Sequence, residues 1–184
     1  MADSFRVRNG VGCIAEASRG DIAKILGLRL NSVALRRGLK ILDREKDQRF
    51  TCVGAVELLL RQAFARIGLF EFEGWAHESI ATVFWHAISR NQGSLALIGS
   101  AERTAQILQK RLARFKLADE LTGRPSIHRF IYRASNGNAA SALDRYVLKQ
   151  NGVSANDVID LEEIAELLVE RIGRPILSLE LTSR

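Results

Sequence analysis

A chain of 184 residues, 47% apolar and 26% charged with two prolines, can hold one large or two small domains and bury a core, which excludes a disordered chain. Its net charge of +6 favours polyanionic partners such as nucleic acid. Cys13 and Cys52 are too few and isolated for a disulfide framework or a zinc site. No apolar run nears the ~20 residues that span a bilayer, and MADSFRVRNG lacks a signal-peptide core, so a cytoplasmic protein is expected, with no membrane partner.

Residues 1–19 form an N-terminal extension. In it Phe5-Arg6-Val7-Arg8 alternates like an edge strand, Asn9-Gly10 signals a turn, and Val11 to Ser18 suits one or two helical turns. Asp21 can cap a helix bearing Ile22, Ile25 and Leu26 on one face, and Gly27 ends it. Asn31 or Ser32 can cap a second helix with Val33 and Leu39 inward and Arg36, Arg37 and Lys40 outward. Gly38 costs this helix about 1 kcal/mol relative to Ala and invites an early end. A charged loop closes on a strand fragment, Arg49-Phe50-Thr51. Val53 to Ile67 follows as a helix with Val56, Leu60, Ala63 and Ile67 on one stripe and Gly68 beyond it. The stretch Leu69 to Gly74 is the expected domain boundary.

Residues 75–184 alternate helix and strand. A helix from about Ala76 to Arg90 leads to a buried strand at Leu95-Ala96-Leu97-Ile98, and Ser100 can cap a helix with Ala105, Leu108, Leu112 and Phe115 inward. Thr122-Gly123-Arg124-Pro125 and Ile172-Gly173-Arg174-Pro175 each read as helix end, Gly cap and Pro stop before a strand, Ser126 to Arg133 and Ile176 to Thr182. Between these lie a helix near Asn138 to Gln150 and an acidic helix near Asp157 to Ile172. About three strands are expected in this half. The fold class is therefore mainly α with a small β component, α+β.

Charge is polar along the chain: residues 29–49 carry net +4, residues 101–133 net +5, and residues 153–173 net −5. The basic helix with Arg103, Lys110, Arg111, Arg114 and Lys116 reads as a solvated face, or as a surface that docks on the acidic helix of a second copy. Catalytic signals are poor. His77 and His86, nine apart, stand half a turn out of phase and cannot share a metal, so neither metal nor cofactor is expected. Trp75 and Trp85 read as core or interface anchors. The Ile98-Gly99-Ser100 turn suits an anion but lacks a Walker lysine.

In the first half Ala23 and Gly27 stand four apart and Val33 six further on, the small–turn–branched spacing of a helix-turn-helix, with Arg36 near a later position that should be apolar. Leu26-Gly27-Leu28, Asn31-Ser32-Val33, Arg37-Gly38-Leu39, a charged loop, Arg49-Phe50-Thr51, Ala55 to Leu60 and Ile67-Gly68-Leu69 then occur in order. Over about Asp21 to Phe70 this resembles the N-terminal winged helix-turn-helix of the mercury-resistance-regulator (MerR) family. The resemblance implies that Asn31, Ser32, Arg36 and Arg37 face the major groove, and that Arg44, Lys46 and Arg49 hold a wing against phosphates. Three features depart from the family. Ala34 and Leu35 stand where it has Arg and aromatics, some 20 residues precede the first helix, and Gly68 and Gly74 preclude its long dimerising helix.

Together these readings predict a winged helix-turn-helix at residues 20–72 and an α/β dimerisation or sensing domain at residues 75–184. The predicted function is a non-enzymatic, sequence-specific DNA-binding transcriptional regulator that is a homodimer or other homo-oligomer. Its partner is double-stranded DNA and its second domain has room for a small-molecule effector. The recognition helix is near residues 31–41 and the wing near 43–51, with Arg29 and Lys40 on the same DNA-facing surface. Two alternatives are an assembly or adaptor protein that self-associates through its opposite-charge helices, and a small-ligand enzyme using the Gly99-Ser100 turn.

Overall fold

The computed structural model describes residues 4–7, 10–42, 50–98 and 111–181. Their fold is α+β, mainly helical with small sheets. Two strands open it, β1 (Ser4–Val7) and β2 (Gly10–Ile14), paired antiparallel with Val7 opposite Gly10. The segment from Val11 is thus strand rather than the helical turns expected: its other partner is β9 (Leu177–Leu181), at the far end of the chain, which no local signal announces. β5 (Leu95–Ile98) runs parallel to β9 on its other side, giving the order β1-β2-β9-β5. Leu177 and Leu179 are buried, as the alternation in this strand predicts.

A short strand β3 (Glu16–Ala17) precedes helix α1 (Arg19–Ile25). The helix starts two residues before the expected Asp21, because Ser18 is the cap: its Oγ accepts from Asp21 N at 3.0 Å, while Asp21 Oδ2 accepts from Ser18 N at 2.8 Å. This reciprocal box satisfies two helix-end donors at once. Gly27, at φ +65°, turns the chain out of α1. Helix α2 (Val33–Leu42) is followed by β4 (Phe50–Thr51), which pairs antiparallel with β3, Ala17 opposite Phe50. Thr51 Oγ1 then accepts from Gly54 N and caps α3 (Cys52–Arg66). Backbone bonds from Cys52 N to Ala15 O, Ala15 N to Ile176 O and Ile176 N to Ser94 O, 2.9–3.0 Å each, stitch this two-stranded pair to the end of the larger sheet.

The expected boundary at Leu69–Gly74 is a joint between α3 and α4 (Phe72–Arg90), which pack on each other. Phe64 and Phe72 meet edge to face at 5.3 Å there. One continuous apolar core holds Ile22, Ile25 and Leu35 from before this joint together with Val83, Leu168 and Ile176 from after it. Burying a Leu or Ile is worth about 1.5–3 kcal/mol, so contacts of this kind bind the two halves into one body.

Helix α5 (Arg111–Thr122) packs on α4; residues 99–110, which include the expected cap Ser100 and the inward Ala105 and Leu108, lie outside the described residues. A second sheet has the order β7-β6-β8, with β6 (Phe130–Arg133), β7 (Ala139–Ala142) and β8 (Val158–Asp160) all antiparallel. The helix expected from Asn138 to Gln150 is therefore a hairpin strand and a short helix, α6 (Arg145–Gln150). The hairpin turn runs from Ala134 to Gly137, whose N donates to Ala134 O at 2.8 Å, with Gly137 at φ +85°. Among the described residues of 75–184 there are five strands, where about three are expected. Helix α7 (Leu161–Ile172) starts at Asp160, whose Oδ1 accepts from Glu162 N and Glu163 N, and ends on Gly173 in the left-handed conformation. No helix among the described residues is long and apolar enough to cross a membrane.

Candidate functional site

Two features have the makings of a site: the outer face of α2, and a cavity between α4 and the β7–α6 corner.

Helix α2 is anchored by Leu35 and Leu39, both buried. Val33, expected to pack inward, is 54% exposed. The turn before the helix runs from residue 26 to 32, longer than the three or four residues of a plain helix-turn-helix. That length moves the inward position two places on, from Val33 to Leu35. The shift also puts Arg36, whose place in the motif should be apolar, on the solvent side. Gly38 does not end the helix. A Cβ there would lie 3.3 Å from Leu58 Cδ1, and one at Gly54 of α3 only 3.0 Å from Leu42 Cδ1, so the two glycines let α2 and α3 approach closely.

The outer surface holds Arg29, Asn31, Arg36, Arg37 and Lys40, all exposed. The four cations have no ion-pair partner among the described residues. Ser32 is half-buried, and its Oγ accepts from Leu35 N at 3.1 Å, so this hydroxyl is engaged in starting the helix. Leu30 and Ile41 join Val33 as exposed apolar side chains on the same helix and its approach. Arg44, Lys46 and Arg49, with the rest of the expected wing at 43–49, lie outside the described residues; Phe50 packs against the core.

Of the basic helix, Arg103 and Lys110 also lie outside the described residues, Lys116 is exposed and Arg114 half-buried. Of the six acids of its expected docking partner, Asp157, Asp160 and Glu162 are engaged within the chain, while Glu163, Glu166 and Glu170 are exposed. Asp157 pairs with Arg133 at 2.8 Å, Asp160 with Arg129 at 2.6 Å, and Glu162 with both Arg90 and Arg129 at 2.7 Å. Asp160 and Glu162 are buried, which carboxylates tolerate only because guanidiniums meet them.

The pairs made by Arg90 and Arg129 border a cavity of about 440 Å³ lined by Trp85, His86 and Arg90 of α4, residues 124–125 and 127–130, and Leu143, Asp144 and Arg145. Trp85 donates from Nε1 to Asp119 Oδ1 at 2.8 Å and stands 5.5 Å from the Phe115 ring, which fixes its plane. His86 Nε2 lies 3.0 Å from the His128 carbonyl and therefore carries the ring proton; Nδ1 is buried with no hydrogen-bond partner among the described residues. Burial pushes the His86 pKa down, against the opposing pull of the His128 carbonyl and Glu162, and keeps the ring neutral. Sequence reasoning missed this cavity: Gly123-Arg124-Pro125 read only as punctuation, and Arg129 only as part of a basic stretch.

No group of three metal-ligating side chains occurs among the described residues, where His77 is exposed and His86 buried. Cys52 is a free, buried thiol whose pKa burial pushes up to about 11. The Gly99-Ser100 turn is outside the described residues. No protein-family profile, curated protein or solved structure matches the chain.

Proposed function

We propose that the chain is a sequence-specific DNA-binding transcriptional regulator that presents α2 to the major groove of double-stranded DNA. The observation that carries this reading is the division of α2 into two faces. Leu35 and Leu39 fix it to the core, while Arg36, Arg37 and Lys40 stand exposed with no acid partner among the described residues. An exposed cation cluster attracts phosphate by releasing condensed counterions, and arginine guanidiniums can read guanine in the groove. Pairing of β3 with β4 ties the chain on either side of the helix pair together, Ala17 opposite Phe50.

The test is the affinity for a random-sequence duplex as a function of salt, read by fluorescence anisotropy, followed by selection from a duplex library. Arg36→Ala with Arg37→Ala should leave the circular dichroism unchanged and weaken binding. The salt slope should fall by about 0.9 for each phosphate that the variant no longer neutralises. A double variant that binds as tightly as wild type at low salt overturns the assignment of α2.

A further inference from the structure

We propose that the cavity between α4 and the β7–α6 corner binds a small organic anion, a carboxylate or phosphate carried on an apolar body. This site is independent of DNA binding, because no residue of α2 lines the cavity.

A volume of about 440 Å³ falls within the range of small-molecule sites, and the lining combines apolar surface with a few charged groups, as such sites do. Ile127 and Phe130 supply a buried apolar wall, and Trp85, Pro125 and Leu143 extend it.

Four arginines line the cavity, Arg90, Arg124, Arg129 and Arg145, against one acidic residue, Asp144. Asp144 is committed: its Oδ1 accepts from Tyr146 N at 2.9 Å and Val147 N at 3.1 Å to start α6. The buried acids behind the wall balance two of the cations. Asp160 accepts from Nε and Nη2 of Arg129, and Glu162 is paired with Arg129 Nη1 and Arg90 Nη1. That leaves Arg124 and Arg145. Arg124 has no ion-pair partner among the described residues, and Arg145 stands 3.9 Å from Asp160 and 3.7 Å from Glu163, beyond hydrogen-bond range.

The backbone at Arg124 is also stiff. It is the single non-glycine residue with positive φ among the described residues, at +49°, between Gly123 at +69° and the fixed ring of Pro125. The proline-locked backbone fixes the direction in which the Arg124 side chain leaves the chain. An anionic head would be met by Arg124 and Arg145 and its apolar body by Phe130 and Ile127. Charge-assisted bonds to a guanidinium are about twice as strong as neutral ones.

The test uses the whole chain and four probes followed by calorimetry: phenyl phosphate, benzoate, inorganic phosphate and benzyl alcohol. Phenyl phosphate and benzoate should saturate a single site and raise the melting temperature, with inorganic phosphate and benzyl alcohol each weaker by about tenfold or more. Arg124→Ala with Arg145→Ala, two exposed residues, should weaken phenyl phosphate by about tenfold without lowering the melting temperature of the free protein. Arg36→Ala with Arg37→Ala should leave this binding unchanged. Failure of both aryl anions to saturate at millimolar concentration overturns the proposal. So does equal binding by the Arg124 and Arg145 double variant. Inorganic phosphate as tight as phenyl phosphate removes the apolar part of the assignment, and benzyl alcohol as tight removes the anionic part.

Discussion

Arg171, in the last turn of α7, donates from its guanidinium to the carbonyl of Ile25 at the end of α1, and the same guanidinium lies against Gly27. One cation thus serves the carbonyl-rich ends of two helices, where positive charge is favoured. Gly27 is doubly constrained: its φ of +65° disfavours any Cβ, and a Cβ would stand 3.2 Å from Arg171 Nη1. Gly27→Ala should therefore lower stability by about 1–2 kcal/mol, seen as a lower urea midpoint at constant slope. Gly74→Ala, in the first turn of α4 with nothing near the added Cβ, should instead stabilise by up to about 1 kcal/mol. Equal midpoints for the two variants would show that the turn at Gly27 carries no strain.

The buried carboxylates Asp160 and Glu162 depend on Arg129. Arg129→Met leaves them undercompensated and should cost about 3 kcal/mol. Adding Asp160→Asn and Glu162→Gln to that variant should recover part of the loss, since the three side chains form one coupled unit. Strict additivity in chemical denaturation would mean that the pairs contribute independently.

His86 makes stability depend on pH. Its pKa in the fold is lowered from 6.5 by burial, so the unfolded chain takes up a proton first as pH falls. Stability present above pH 6.5 is lost as the pH drops through the lower folded value. The urea midpoint should fall as the pH drops below 6.5, and His86→Gln should flatten that fall. A His86→Gln profile parallel to wild type would assign the effect elsewhere.

Cys52 is shut away and its thiolate is suppressed, with burial raising its pKa to about 11. In a Cys13→Ser variant the remaining thiol should resist a disulfide reagent at neutral pH and react only as fast as the chain unfolds. Labelling much faster than unfolding would place Cys52 in a region that opens on its own.

Elements carried by local signals were legible in the sequence. Gly68 ends α3, the Gly-Pro pairs at 123–125 and 173–175 stop their helices, and Leu177 and Leu179 mark the dry face of β9. What distant partners impose was hidden. Residues 10–14 are strand because β9 lies beside them, and α2 turns inward on Leu35 because the preceding turn is long. Asp160 and Glu162 read as part of an acidic helix open to a second copy because the arginines that neutralise them stand 31 or more residues earlier in the chain. The cavity is drawn from three separated segments, so no spacing rule could assemble it, whereas the cations of α2 were visible as a run.

The position of β9 between β2 and β5 sets an order of events during synthesis. Its residues, 177–181, emerge after every other described element, yet they fill the middle of the sheet. Until then β2 and β5 each present an open edge that invites pairing with another chain. A nascent chain halted before residue 177 is therefore a candidate for aggregation, and quality control would meet this protein as an all-or-none product rather than one folded half at a time.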